Sequence, residues 1–135
     1  MSWTRFFVTV LASGFAGMFT DWVFMGILFH DKYLLTPELW RKAKGGPETR
    51  YIVASTALGV LSCSALILLL GYAGALHSIT GALWAAGLAW ISGPLPLIAT
   101  NSIWTRLHPL VAVSHSIGWL VRFMVTAILA AWLIG

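Results

Sequence analysis

The sequence predicts an all-α integral membrane protein, a four-transmembrane-helix bundle with a short interfacial helix in the first loop. Composition gives the first reason, because 59% of the 135 residues are hydrophobic and only 9% are charged. Soluble domains average about 25% charged residues. A soluble domain of this size also keeps much of its surface wet, so it could not hide so many apolar side chains. The second reason is that the apolar residues fall into four long runs.

Each apolar run is long enough to cross a bilayer, which takes about 20 residues of helix. The runs cover about residues 6–29, 51–75, 79–104 and 109–134. They leave no room for a separate soluble domain. We therefore expect residues 1–135 to form a single transmembrane domain.

The first loop carries the signals of a short helix over about residues 37–44. Thr36 can cap its start, and Pro37 suits its first turn. Trp40 lies on an apolar side opposite a basic side, which is typical of a helix lying in the membrane interface. A solvated basic loop is equally compatible with these residues.

The basic residues predict the orientation of the chain. With four spans, the first and third loops share one side, and the residues there are Lys32, Arg41, Lys42, Lys44, Arg50 and Arg106. The opposite side has only Arg5. Since cytoplasmic loops are enriched in Lys and Arg, both termini should face outward and the basic first loop the cytoplasm. Because the basic residues cluster in one short loop rather than along a stripe, we expect no nucleic-acid binding.

Small residues recur at four-residue steps in every span, and helices in lipid approach each other along such ridges. The ridges include two charged residues and comprise Ser13, Gly17 and Asp21 beside Gly14; Ser55, Gly59 and Cys63; Gly81, Ala85, Ala89 and Gly93; and Ser114, Gly118, Arg122, Thr126 and Ala130. The single cysteine, Cys63, cannot form an internal disulfide or a cysteine-type metal site. Four such faces favour a compact bundle, or contacts with other subunits.

Two charged residues, Asp21 and Arg122, fall inside spans, about 13 Å and about 20 Å from the cytoplasmic end. Charges at such depth are costly, and they usually face the bundle interior and pair. His115 shares a helix face with Arg122 and lies near the level of Asp21, with Ser114 or Ser116 close by. We therefore predict an intramembrane polar cluster of Asp21, His115 and Arg122.

Three roles remain open for this cluster. It can be a structural pin that fixes how the helices pack, a contact for a ligand, pigment or cofactor, or part of a proton or ion pathway. The sequence implies no cofactor strongly, although a single-histidine pigment or haem contact at His115 is compatible with it.

Two further features carry alternatives of the same kind. Gly93, Pro94 and Pro96 predict a helix break in the third span, either a kink that shapes the bundle or a break that coordinates a ligand. His30, Asp31 and His108 lie at the cytoplasmic interface, where they form either a ligand or metal site or an ordinary interfacial cluster. The identity of any metal stays open.

The chain resembles a family of small four-helix bacterial inner-membrane proteins of unknown function. The resemblance covers nearly the whole chain and rests on 21–30 (DWVFMGILFH), Tyr33, 36–41 (TPELWR), 93–96 (GPLP), Asn101, 107–110 (LHPL), 114–115 (SH) and 118–122 (GWLVR). It implies four helices and a bacterial inner membrane, and it supplies no activity or catalytic residue.

These observations predict a non-enzymatic membrane protein, because the chain contains no nucleophile elbow, zinc-protease motif, phosphate loop or dinucleotide fingerprint. We expect an accessory, structural or ligand-binding subunit that lies in the lipid bilayer as a homo-oligomer or within a larger membrane complex. The alternative is a small proton- or ion-coupled transporter or channel that uses Asp21, His115 and Arg122.

Overall fold

The computed structural model describes residues 2–36, 39 and 49–135, and within these ranges every regular element is helical. The α-helices are α1 (Trp3–Asp21), α2 (His30–Tyr33), α3 (Thr49–Tyr72), α4 (Ile79–Ser92), α5 (Pro94–Trp104) and α6 (Pro109–Leu133). A π-helical segment, Trp22–Leu28, continues α1, and a 3-10 turn, Ala75–His77, precedes α4.

In the described part of the chain, four helical stretches are long and apolar enough to cross a membrane: Trp3–Leu28, Thr49–Tyr72, Ile79–Trp104 and Pro109–Leu133. We call them the first to fourth long helices. They confirm the predicted all-α class and lie within three residues of the predicted boundaries. The predicted interfacial helix over 37–44 lies outside the described residues, apart from Leu39.

The fourth long helix, α6, is the centre of the bundle, because it packs against α1, α3, α4 and α5. Its ridge is buried as predicted, from Ser114 through Gly118 and Thr126 to Ala130. The core between α6, α3 and α4 is apolar and includes Leu66, Ile67, Leu70, Ala82, Ala86, Phe123, Ala127 and Ala130.

One predicted ridge is wrong in its register. On α4 the fully buried small residues are Ala82 and Ala86, whereas Gly81, Ala85 and Ala89 are only partly buried and Gly93 is exposed. The reason is that α4 has alanine or glycine on adjacent faces, so helix rotation is decided by the fit to α6 rather than by residue size.

The third long helix is interrupted at Gly93, which has φ −125° and ψ −87° and joins the end of α4 to the start of α5. Pro94 occupies the first position of α5, where its missing N–H costs no helical hydrogen bond. The two prolines therefore begin a new helix instead of kinking a continuous one.

The first long helix changes pitch directly after Asp21, since the next seven residues, Trp22–Leu28, are π-helical. Such stretches are rare and occur mostly as single turns, frequently at functional sites. No sequence pattern predicts this change, because residues 21–28 continue the apolar run of a regular helix. It alters which residues of the first long helix face α6.

Candidate functional site

Asp21, at the end of α1, forms an ion pair with Arg122 in the middle of α6. Nη2 of Arg122 donates to Oδ2 of Asp21 and also to the backbone oxygen of Gly17, at 3.4 Å. The arginine side chain is 6% exposed, whereas the aspartate is 37% exposed. The pair therefore joins the first and fourth long helices with the cation buried and the carboxylate partly open.

Two glycines from different helices hold the guanidinium of Arg122 between them. A Cβ added at Gly17 would lie 2.7 Å from Nε, and one added at Gly59 would lie 2.8 Å from Nη1. Both distances are shorter than real Cβ contacts, so any side chain at either position would displace the arginine. We call Gly17 and Gly59 the glycine clamp.

The ring of Trp119, one turn before Arg122 on α6, covers the cation, with Cζ 4.7 Å from its centroid. This is a cation–π distance, and such contacts strengthen when they are shielded from water. Nε of Arg122 is buried without a hydrogen-bond partner. Both hydrogen bonds that Arg122 makes to described residues come from Nη2, so its other N–H groups donate to none of these residues.

A cleft of about 220 Å³ borders the ion pair. It lies between the first long helix, α3 and α6, and its wall is formed by Asp21, Phe24, Met25, Ser55, Leu58, Gly59, Ser114, His115, Gly118, Trp119 and Arg122. The predicted polar cluster of Asp21, His115 and Arg122 thus shares one cavity wall. A Cβ at Gly118 would meet nothing within 4 Å, so this glycine leaves part of the cleft open.

Tyr33, on α2, reaches this region from the loop side. Its hydroxyl donates to Oγ of Ser114 at 3.3 Å, and its ring packs edge-to-face on the ring of His115, with centroids 5.6 Å apart. Burial, together with the nearby Asp21 carboxylate, raises the pKa of Tyr33, against a smaller opposing effect of the Ser114 hydrogen bond. The phenol therefore remains protonated and serves as a hydrogen-bond donor.

His115 is the candidate for a pigment or haem contact, and its ring packs edge-to-face on Tyr33. The cleft that it lines is smaller than the usual ligand pocket of about 300–1,000 Å³. That volume suits a small group better than the macrocycle of a haem or chlorophyll. The geometry thus gives no support to a single-histidine pigment contact.

The interfacial residues lie apart from the cleft wall. His30 and Asp31 are exposed on α2, and Nδ1 of His108 accepts a hydrogen bond from the backbone N–H of Leu110, which caps α6. Among the described residues there is no group of three His, Cys, Asp or Glu side chains that could hold a metal ion. His30, Asp31 and His108 thus do not form such a group.

Gly93, Pro94 and Pro96 also lie away from the cleft wall. The break instead sets the direction of α5, which flanks α6 along an apolar groove. Just before it, Nε1 of Trp90 donates to the backbone oxygen of Ser116 at 2.9 Å and ties α4 to α6. This placement favours a break that shapes the bundle over a break that coordinates a ligand.

The sequence does not indicate that Gly59, Tyr33 and Ser55 lie beside the ion pair or its cleft. Gly59 belongs to a ridge of small residues that predicts helix packing, whereas in the structure its lack of a side chain makes room for Arg122. Tyr33 follows the first apolar run, and a tyrosine there carries no signal of contact with a residue 81 positions away. One signal was available: a buried arginine that pairs inside a bundle needs small residues such as glycine on the helices around its guanidinium.

Comparison with known proteins gives no match: no family model fits the chain, and neither a characterised protein nor a solved structure is detectably similar to it. The functional argument therefore rests on the geometry of the cleft. The family resemblance of the motifs stays a prediction.

Proposed function

We propose that this chain is a multi-pass protein of the bacterial inner membrane that binds a small ligand as an accessory subunit of a membrane assembly. The observation that carries the proposal is the cleft beside the Asp21–Arg122 pair. A structural pin needs only the two charged residues and a close approach of their helices. The open volume at Gly118, next to a guanidinium with unused donors, is more than a pin requires.

Membrane insertion is supported by what the bundle leaves uncovered. Large apolar side chains point outward from every long helix, including Phe15, Leu61, Trp84 and Trp132. In water such a surface would cause aggregation, whereas in a bilayer the lipid chains solvate it.

The orientation proposed from the basic loops places His77 outside and Lys32 in the cytoplasm. In a Cys63→Ser background, a membrane-impermeant maleimide applied to spheroplasts should label His77→Cys and leave Lys32→Cys unlabelled until the membrane is opened. The opposite labelling pattern would show that the orientation is reversed.

Ligand binding is tested by native mass spectrometry of the protein extracted gently from its own membranes. We expect wild type to retain a small molecule and Gly118→Leu to lose it, because the leucine side chain fills the cleft. Gly71→Leu is the matched control: it makes the same change on α3 at a position where a Cβ meets only Leu76, at 3.6 Å. Retention of the molecule by Gly118→Leu, or its absence from wild type, contradicts the proposal.

The same spectra test the proposed assembly. An accessory subunit is expected to leave the membrane with further copies of itself or with other chains attached. A wild-type protein that is monomeric and unaccompanied in several mild detergents would argue against this role.

A conduit for protons or ions is less well supported than a binding site. On the far side of Arg122 the bundle is closed by buried apolar residues such as Ile67, Leu70 and Phe123. The hydroxyl of Thr126 there contacts Sγ of Cys63 at 3.5 Å. We expect proton flux into liposomes containing wild type to equal that of Asp21→Asn, and a faster wild-type flux would favour transport instead.

A further inference from the structure

The cleft opens sideways, between the first long helix and α3. As far as Asp21, α1 packs along α3, but the π-helical segment packs against α6 and α2 instead. On α3, Ser55 and Leu58 are exposed at this level. In a bilayer the gap between these helices therefore faces lipid, and a molecule dissolved in the membrane can enter the cleft without crossing water.

The charges that border the cleft cancel. Asp21 and Arg122 are paired, so a ligand meets no net charge from them. An added anion or cation would remain uncompensated in a low-dielectric environment, which is strongly unfavourable. The electrostatics of the cleft therefore favour a neutral ligand.

The wall offers a hydrogen-bond donor, Nη1 of Arg122, beside the carboxylate of Asp21. The hydrogen bonds of Arg122 to described residues use only Nη2, and Nη1 lies against Gly59 on the wall of the cleft. Ser114 accepts a hydrogen bond from Tyr33 and is itself fully buried. A group that complements Nη1 of Arg122 presents an oxygen acceptor to it.

We propose that the cleft binds the neutral, carbonyl-bearing headgroup of a membrane-soluble molecule, a quinone-type ring on an apolar chain. One of its carbonyl oxygens accepts from Nη1 of Arg122. Its chain leaves through the lateral opening past the apolar side chains of Met25 and Leu58. This inference rests on the proposed ligand-binding function and names the class of ligand.

Three probes with the same ten-carbon chain test it: a decyl-benzoquinone, decanoate and decylammonium. Binding of each labelled probe is measured by equilibrium dialysis against the protein in lipid nanodiscs, with empty nanodiscs as the reference. We expect the quinone to bind at least tenfold more tightly than the two charged probes. Tighter binding of either charged probe, or no binding above empty nanodiscs, overturns the assignment.

Two pairs of variants locate the binding. Gly118→Leu should weaken quinone binding at least tenfold, and Gly71→Leu should leave it unchanged. Should Gly118→Leu fail to fold, Ser55→Leu replaces it, with Ser62→Leu as control. Both serines donate to a backbone oxygen of α3, and only Ser55 lines the cleft. Equal loss in test and control variants, or loss in neither, places the quinone elsewhere and overturns the assignment.

The two proposals fail in different ways. If native mass spectrometry finds a molecule that Gly118→Leu loses but the quinone does not bind, the carbonyl assignment falls and ligand binding stands. If neither experiment gives a signal that depends on Gly118, both proposals fall.

Discussion

Replacing glycine by alanine should change the free energy of unfolding differently at the glycine clamp than at an ordinary helix position. Replacing glycine by alanine inside a helix normally stabilises it by about 1 kcal/mol. At Gly17 and Gly59, however, the new Cβ would lie 2.7 Å and 2.8 Å from the guanidinium of Arg122. Ordinary contacts begin at 3.4 Å, so the arginine must retreat by roughly 0.6–0.7 Å in each case.

That retreat has a cost because the guanidinium is confined by a helix on two sides. Moving away from Gly17 presses it toward Gly59, and its bond to Asp21 resists sliding along the groove. Overpacking of this kind typically costs about 1–3 kcal/mol. Against the helix gain of about 1 kcal/mol, we expect Gly17→Ala and Gly59→Ala to be neutral to destabilising by about 2 kcal/mol. The double variant should lose more than the sum.

The assay is equilibrium unfolding in mixed micelles, followed by circular dichroism. Gly118→Ala is the matched control, since its Cβ meets nothing within 4 Å, and it should stabilise the protein. In an Asp21→Asn, Arg122→Leu background the penalty at Gly17 should disappear. If Gly17→Ala and Gly59→Ala stabilise wild type as much as Gly118→Ala does, the guanidinium is not where the structure puts it.

Three further predictions concern the pair, a tie between helices and the tyrosine. Asp21→Asn should lower the free energy of unfolding by up to about 3–5 kcal/mol, because it leaves the buried cation unpaired; adding Arg122→Leu should recover part of the loss, and strict additivity of the two would contradict the pairing. Trp90→Phe should cost about 0.5–1.5 kcal/mol through the lost bond to Ser116, whereas Trp84→Phe, at an exposed ring on the same helix, should cost little; equal costs would refute the tie. Because the folded-state pKa of Tyr33 is raised, its contribution to stability is complete below about pH 10 and is lost as the pH rises through the raised value; Tyr33→Phe should remove this alkaline loss, and an unchanged pH profile would contradict the assignment.

The long helices could be predicted because runs of apolar residues are what a membrane-crossing helix requires. The Asp21–Arg122 pair was suggested by the same logic, since two charges among apolar residues need each other. What the sequence could not provide is helix rotation. On α3 the ridge offered Ser55, Gly59 and Cys63, and only packing decides that Gly59 faces the guanidinium.

The π-helical segment is a second case in which the sequence was insufficient. An α-helix and a π-helix use the same apolar residues, so no hydrophobic pattern separates them. Its consequence is large, because it brings Phe24 and Met25 to the cleft wall and parts the first long helix from α3. Some of the residues on the cleft wall were therefore predictable from the sequence, whereas the lateral opening of the cleft was not.

The separation of Asp21 and Arg122 along the chain has a consequence for biosynthesis. The two residues are 101 positions apart, in the first and the last long helix. At a synthesis rate of about 5–20 residues per second, the arginine leaves the ribosome about 5–20 s after the aspartate. In a chain that is inserted as it is made, the Asp21 carboxylate has no ion-pair partner during this interval. The ion pair of such a chain would form only when the last helix has entered, so its formation would report completed insertion.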